Sequence, residues 1–312
     1  MKKLLKTAIF FLRNQTVRGK DFWCKLLQYK LTSKPLIYWY SRVDFENEAL
    51  ENFGDIVTPY IVKKLTGLSP VLFRPSDKLS KYCKHYIMVG SIIGDARTKS
   101  TVWGSGIIKQ DQYIRGGNFL AVRGPRTALR IRELGFKEPN VYGDPALLLP
   151  LLYKPNSSSK RYKIGIIPHY IDYIEVQNLL SRSSFNDMKV INLLNNNVEN
   201  VIEQIILCDK IISTSLHGII VANAYEIPAM WWKFSDKLSG DDIKFHDYFE
   251  SVEKFDLTPI YGKNIEDVIY SSDYFIPKKE LVLKLQKGLL ASFPIKNATY
   301  KENILKYESL RM

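Results

Sequence analysis

The chain has 312 residues, long enough for two α/β domains of ordinary size. An apolar fraction of 46% with 25% charged residues excludes a disordered, collagen-like or disulfide-scaffold chain. Basic residues exceed acids by 45 − 32 = +13, and residues 1–42, with ten basic residues against the single acid Asp21, carry +9 of that excess.

The start, Met1-Lys2-Lys3 and then Leu4 to Leu12, imitates a signal peptide. Lys6 interrupts the apolar stretch, however, and no small-x-small cleavage site follows Arg13. No apolar run reaches the roughly 18 residues that suggest a membrane span. A cytoplasmic protein is expected. Leu4, Leu5, Ala8, Ile9 and Leu12 recur at helical spacing among Lys2, Lys3, Lys6 and Arg13. Two readings stand for this stripe: a helix lying peripherally on the anionic inner membrane surface, or a helix packed on the protein's own core. Cys24, Cys83 and Cys208 have no metal or disulfide spacing and read as free thiols.

Strand and helix signals then alternate. Leu36–Tyr40 reads as a strand. A helix follows Asp55, with Ile56, Tyr60, Ile61 and Leu65 on one face and Gly67 as its stop. Tyr86–Val89 is a buried-type strand running into Gly90-Ser91. Phe119–Val122 is a strand, Pro125 opens a helix that Gly135 ends, and Val141–Tyr142 leads to Gly143-Asp144-Pro145. The cluster Lys154-Pro155-Asn156-Ser157-Ser158-Ser159-Lys160 has linker composition. Beyond it come strands at Ile164–Ile167 and Val190–Leu194, an amphipathic helix Val198–Cys208, a strand Lys210–Ile212, a helix His217–Tyr225 and a strand Ala229–Trp232. Such alternation predicts parallel sheets with crossover helices. The fold class is α/β: two Rossmann-like domains facing a cleft, in the manner of the glycosyltransferase-B fold. The first is placed at 1–155, including the basic segment 1–42. The second is placed at 160–312, with a closing helix near 280–290.

Several chemistries lack their motifs. There is no P-loop and no G-x-G-x-x-G after a strand. No D-x-D tripeptide occurs, and His85, His169, His217 and His246 are too scattered to predict a metal site. The basic charge is concentrated at one end without a nucleic-acid motif, so no nucleic-acid partner is expected.

The informative segments are strand-to-helix turns. Ser213-Thr214-Ser215-Leu216-His217-Gly218 brings hydroxyl residues and a histidine to the mouth of an apolar helix, where free backbone N–H groups bind anions. A helix cap by Ser or Thr with His217 as a polar neighbour is the plainer reading. Val122-Arg123-Gly124-Pro125-Arg126-Thr127 puts two arginine forks at a strand end, the place where open α/β sheets bind ligands. Asn52-Phe53-Gly54-Asp55 opens the first long helix, and Asp55 serves equally as its cap. Gly90-Ser91 and Trp103-Gly104-Ser105-Gly106 allow close backbone approach or plain turns. Asp144 reads as a turn residue before proline, and His169, with Asp172 after it, is a second acid/base candidate.

Taken in order, these segments resemble the polysaccharide pyruvyl transferase family: the Asn-x-Gly-Asp turn at 52–55, Gly90-Ser91, Trp103-Gly104-Ser105-Gly106, Val122-Arg123 with Thr127, Gly143-Asp144-Pro145-Ala146, and Ser215-Leu216-His217-Gly218 followed by Ala222 and Pro228. The resemblance implies a pyruvyl transferase that moves the enolpyruvyl group of phosphoenolpyruvate onto a sugar of a surface polysaccharide, or onto its lipid-linked precursor. A pyruvate ketal forms and phosphate leaves. Arg123 and His217 match the donor-binding and catalytic positions. Arg126, Ser215, Gly218, Asn52, Gly54, Asp55, Ser91, Gly104 and His169 are the expected substrate-binding residues. Many members carry Arg just before Leu-His-Gly, where this chain has Ser215, and Arg126 is the candidate for that charge. No metal or cofactor is called for beyond the donor. The alternatives are a metal-independent nucleotide-sugar glycosyltransferase and a non-catalytic sugar-binding protein of polysaccharide assembly.

Overall fold

A computed structural model describes residues 17–155, 159–181 and 187–309. The apolar stripe at 4–12 and residues 156–158 of the linker cluster lie outside these residues.

The first half holds α1 (Val17–Leu31), β1 (Leu36–Tyr38), α2 (Arg42–Glu46), α3 (Phe53–Thr66), β2 (Val71–Leu72), β3 (His85–Ile87), β4 (Ser100–Trp103), β5 (Asn118–Ala121) and α4 (Pro125–Glu133). A 3-10 turn at Pro145–Leu148 and α5 (Leu149–Leu152) lead out of it. The second half holds β6 (Tyr162–Ile167), α6 (Tyr173–Ser181), β7 (Met188–Val190), α7 (Val198–Ile206), β8 (Cys208–Ser213), α8 (Leu216–Ala224), β9 (Ala229–Lys233), α9 (Ile243–Ser251), β10 (Ile260–Tyr261), α10 (Ile265–Ile269), α11 (Lys279–Ser292) and α12 (Ala298–Ser309). The class is α/β, as the alternation predicts.

Each half builds one five-stranded sheet, β2-β1-β3-β4-β5 and β7-β6-β8-β9-β10, and every strand pair is parallel. The two orders are the same: the second strand lies outside the first, and the chain then crosses to the first strand's other side. That reversal leaves a crevice at the carboxyl ends of β1 and β3, and another at those of β6 and β8. The informative turns after β3, β6 and β8 are therefore carried to crevice mouths.

Helix α3 shows how the pattern becomes packing. Phe53, Val57, Ile61 and Leu65 recur every four residues and are all buried. Gly67, at φ +70°, stops the helix with its N–H on Lys63 O. The buried stripe of α3 belongs to one apolar cluster with Val201, Ile202 and Ile205 of α7 and Ile219 and Ile220 of α8. That cluster runs through both halves. The last helices return to the first half: Trp103 Nε1 donates to Leu289 O of α11 at 3.0 Å, and Asn303 Nδ2 of α12 donates to Leu65 O at 3.0 Å.

The expected helix Val198–Cys208 stops at Ile206, because Cys208 already opens β8, and among the other differences from expectation three have identifiable reasons. The expected strand Val190–Leu194 leaves its sheet after Ile191, whose N–H still donates to Ile166 O of β6, because the next residues serve the first half: Phe53 N–H donates to Leu193 O, and Leu194 bridges Asn52. Val141–Tyr142 forms only a bridge to Val122. Strand β4 is missed because Ser100-Thr101 begins it with polar residues, though all four of its residues are buried.

Candidate active site

Helix α8 is buried at every residue except His217. Its N-terminal turn is held by β6 and β8: Thr214 N–H donates to Ile167 O, and Thr214 Oγ accepts the His169 N–H at 2.7 Å. Ser215 occupies the N-cap position without a side-chain capping bond. The cap reading of this serine is therefore not what the structure shows, and the mouth of α8 keeps its backbone donors uncapped by that side chain. Gly218 is needed for packing, since a Cβ there would sit 2.9 Å from Ile167 Cγ2 of the neighbouring strand.

The His217 ring lies between the two halves. Its Nε2 is 3.7 Å from Asp144 Oδ2, and both atoms are buried without a hydrogen-bond partner. Asp144 is the turn residue the sequence suggests, its Oδ1 accepting the Ala146 N–H at 2.9 Å. Its other oxygen faces the histidine. On the opposite side Gly54, at the start of α3, lies against the ring: a Cβ there would come within 2.9 Å of Cγ and 3.0 Å of Cε1, and nearest of all to Nδ1. Burial, with the charges of Arg123 and Lys244, pushes the imidazole down to about 3. Burial lifts the Asp144 carboxyl to about 6, against the Ala146 N–H and the Arg123 charge, which favour its ionised form. Burial thus makes the pair resist a charged imidazolium and hold a proton weakly near neutrality.

Arg123 is completely buried. Its guanidinium donates from Nε to Asp247 Oδ2 at 3.0 Å, from Nη1 to Ser91 Oγ at 2.7 Å and from Nη2 to Ile107 O at 2.6 Å. Gly106 makes room for it, since a Cβ there would stand 2.8 Å from Arg123 Nε. Asp247 comes from α9 in the second half and also accepts the Thr127 N–H and hydroxyl, at 2.9 and 2.7 Å. One carboxylate therefore balances Arg123 and caps α4 across the two halves. Arg126 is exposed and forks onto Glu250 at 2.6–2.9 Å, so its charge is matched by a carboxylate of α9.

Asn52 Nδ2 donates to Asp55 Oδ2 at 2.8 Å, and burial raises that carboxyl to about 7 in spite of the bond. His169 packs at a tilt against the Tyr170 ring, with centroids 4.4 Å apart, and is pushed down to about 3, first by burial and then by the charges of Lys244 and His217. Gly104, at φ +90°, packs against Pro145, next to Asp144. The structure thus brings His217, Gly54 and Asp144 together, ties His169 to the turn before α8 through Thr214, joins Arg123 and Ser91 in one bonded network, and turns Arg126 toward Glu250.

Sequence reasoning missed three residues. Asp144 shows its second role only when α8 is laid beside the 3-10 turn. Asp247 and Lys244 lie on α9, a helix without a recognisable motif. Among the described residues no group of three or more His, Cys, Asp or Glu is arranged to hold a metal ion. No helix among them is long and apolar enough to cross a membrane.

No solved structure matches the chain. A protein of Acanthamoeba polyphaga mimivirus described as uncharacterized protein L143 is 31% identical over 201 residues, covering 63% of this chain and 69% of that protein. The family model for polysaccharide pyruvyl transferase matches residues 23–231, a stretch that contains Gly54, Arg123, Asp144 and His217. The ordered turns, the site they converge on and this match agree: the chain belongs to the polysaccharide pyruvyl transferase family.

Proposed function

We propose that the chain transfers the enolpyruvyl group of phosphoenolpyruvate to a sugar of a surface polysaccharide or its lipid-linked precursor, as a ketal. The observation that carries the reading is the buried His217–Asp144 pair, two unpartnered polar atoms 3.7 Å apart at the mouth of α8. A buried pair left without partners is costly unless a ligand uses it.

The balance of the reaction defines what the pair must do. C3 of the donor gains a proton and becomes a methyl group. Two sugar hydroxyls form bonds to C2, the C2–O bond to phosphate breaks, and the second hydroxyl proton leaves with phosphate. His217 gives the first proton and recovers one from a hydroxyl. A bound phosphate favours the imidazolium that burial disfavours. Asp144 holds the Nε2 side and stabilises the charge as it appears, while Gly54 confines the other edge of the ring. Arg123, fixed by Asp247 and Ser91, contributes a positive field and its remaining N–H groups toward the donor. We place the two sheet units as the two lobes of a glycosyltransferase-B-like enzyme. We place the basic stretch that precedes β1 at an anionic membrane face near a lipid-linked acceptor; Leu36–Tyr38 are buried in the first sheet and take no part in it.

Incubation with phosphoenolpyruvate and a panel of lipid-linked and free sugars, read by phosphate release and product mass, tests the reading. A product heavier by a pyruvate ketal, absent in His217→Ala, is expected. Release of a nucleotide from a nucleotide sugar points to a glycosyltransferase instead. Sugar binding without turnover of either donor points to a non-catalytic protein.

A further inference from the structure

A second concave surface lies on the first half, away from His217. It is a cleft of about 610 Å³ whose walls include Lys78, Lys81, Arg97, Lys99 and Arg115, with Asp77 as the one acid among the described residues that line it. Topology explains the convergence. Lys78 and Lys81 stand shortly before β3, Lys99 directly before β4 and Arg115 shortly before β5, and these three strands are parallel neighbours. Parallel neighbours begin at the same edge of a sheet, so the segments that lead into them meet there. Two contacts fix the loops: Arg97 N–H donates to Ser100 Oγ at 2.8 Å, and Gly116 lies against Thr98, where a Cβ would stand 3.7 Å from the Thr98 nitrogen. Ser91 and Arg123 follow β3 and β5, and so lie at the opposite edge.

The charge of the cleft is unbalanced. Arg97 is anchored, its Nη1 donating to the carbonyls of Gly94, Asp95 and Ala96 at 3.3, 2.7 and 2.9 Å. Asp77 is spent on the turn, its Oδ1 accepting the Leu79 N–H at 3.0 Å. Among the described residues none of the five cations is paired with a carboxylate, whereas Arg126, Arg130 and Arg132 of α4 each pair with a glutamate. Burial, and then the charge of Arg115, push the Arg97 guanidinium below its usual value. Like charges gathered in a concave wall repel one another and focus a potential that draws an anion in. Five cations against one acid call for a ligand with more than one negative charge. Concavity suits a discrete group better than a flat bilayer. Arginine forks beside lysine point charges match phosphate oxygens.

We infer that this cleft binds a diphosphate group. The inference goes beyond the transfer reaction and does not depend on the donor assigned to His217. The turn that carries Lys78 and Lys81 also holds Leu79, which shares an apolar cluster with Leu26 of α1. A diphosphate borne by a lipid would therefore enter beside the basic stretch that precedes β1. Inorganic pyrophosphate, phosphate and sulfate are titrated by calorimetry into the full chain at physiological salt. The variants are Lys99→Gln with Arg115→Gln, the charge-keeping Lys99→Arg with Arg115→Lys, and Lys284→Gln with Lys287→Gln, which removes the same charge from exposed positions of α11 outside the cleft. Losing two charge-assisted contacts predicts about tenfold or greater weakening of pyrophosphate binding in the first variant. The other two should bind it nearly as wild type does. Pyrophosphate should bind wild type more tightly than phosphate or sulfate, and should raise its melting temperature more than that of the first variant. Neutral-lipid vesicles carrying a polyprenyl diphosphate, set beside vesicles of anionic phospholipid, separate the sources. If the first variant loses retention on the former alone, the diphosphate is lipid-borne. Pyrophosphate binding in a wild type that polyprenyl diphosphate does not retain assigns a soluble diphosphate. Equal pyrophosphate affinity in wild type and the first variant, no pyrophosphate binding, or phosphate and sulfate bound as tightly, overturns the inference. Equal loss of retention on both kinds of vesicle marks general charge attraction and overturns it too.

Discussion

Gly54→Ala separates a role of His217 in chemistry from a role in stability. Gly54 lies in the first turn of α3 with an ordinary helical backbone, and no strained dihedral demands glycine there. Alanine stabilises an exposed helix interior by up to about 1 kcal/mol relative to glycine, so backbone propensity alone makes the change neutral or favourable. The cost falls on the imidazole. The new methyl group would stand 2.9 Å from His217 Cγ and nearer still to Nδ1, where ordinary contact begins near 3.4 Å. The ring must retreat by about 1 Å, and misplacement of that size costs a reacting group about a hundredfold. Its Nε2 side is closed by Asp144, which leaves little room for retreat. The expected outcome is a protein that melts within a few degrees of wild type while product formation falls by about two orders of magnitude. The assay is phosphate release from phosphoenolpyruvate with an accepted sugar, set beside a thermal melt. Wild-type turnover in a folded Gly54→Ala protein would refute the confinement of the ring and the proton transfer assigned to it. Equal losses of stability and activity would show that the glycine serves packing alone.

Three further outcomes follow from the same geometry. Asp144 carries a carboxyl raised from 3.8 to about 6, so the unfolded chain ionises before the native one and native stability is lost as pH rises through that window. Asp144→Asn, which keeps the acceptor for Ala146 N–H, should gain about 3 kcal/mol above pH ~6 and almost nothing below pH ~4 while losing activity; denaturant melts across pH check it. Asp247→Ala leaves Arg123 as a buried cation without its carboxylate and removes both bonds to Thr127, so a loss of about 3–5 kcal/mol is expected by denaturant titration, partly recovered when Arg123→Met is added. The basic segment should bind vesicles containing anionic lipid at low salt and release them at high salt, because each basic residue contributes about 1 kcal/mol near such a surface; flotation without anionic-lipid dependence would remove the electrostatic anchor.

The sequence revealed the places of the turns better than their partners. Strand ends, glycine stops and the helix mouth at 215–218 are local events, set by a few consecutive residues. Gly54 and His217 were both legible as members of turns. That one lies against the other depends on α3 and α8 sharing a core, which no local pattern records. Arg123 read as a ligand-facing fork because its position at a strand end was visible, whereas its neutralisation by a carboxylate 124 residues away was not. The strand at Val190–Leu194 was overextended for a related reason: its apolar run continues, but the backbone beyond Ile191 bonds to Asn52 and Phe53 of the other half.

The return of α11 to the first sheet sets a timetable for synthesis. Trp103 is fully buried in the finished protein, packed edge-on against Phe293 with its indole N–H on the carbonyl of Leu289, 186 residues later in the chain. At about 5–20 residues per second, a ribosome leaves that indole without its cover for roughly ten to forty seconds. During that interval the nascent first sheet lacks the cover that α11 and Phe293 give Trp103 in the folded chain. Codons that slow elongation between β5 and α11 would lengthen the exposure, and lost yield from such recoding would appear as aggregation of incomplete chains rather than as faulty enzyme.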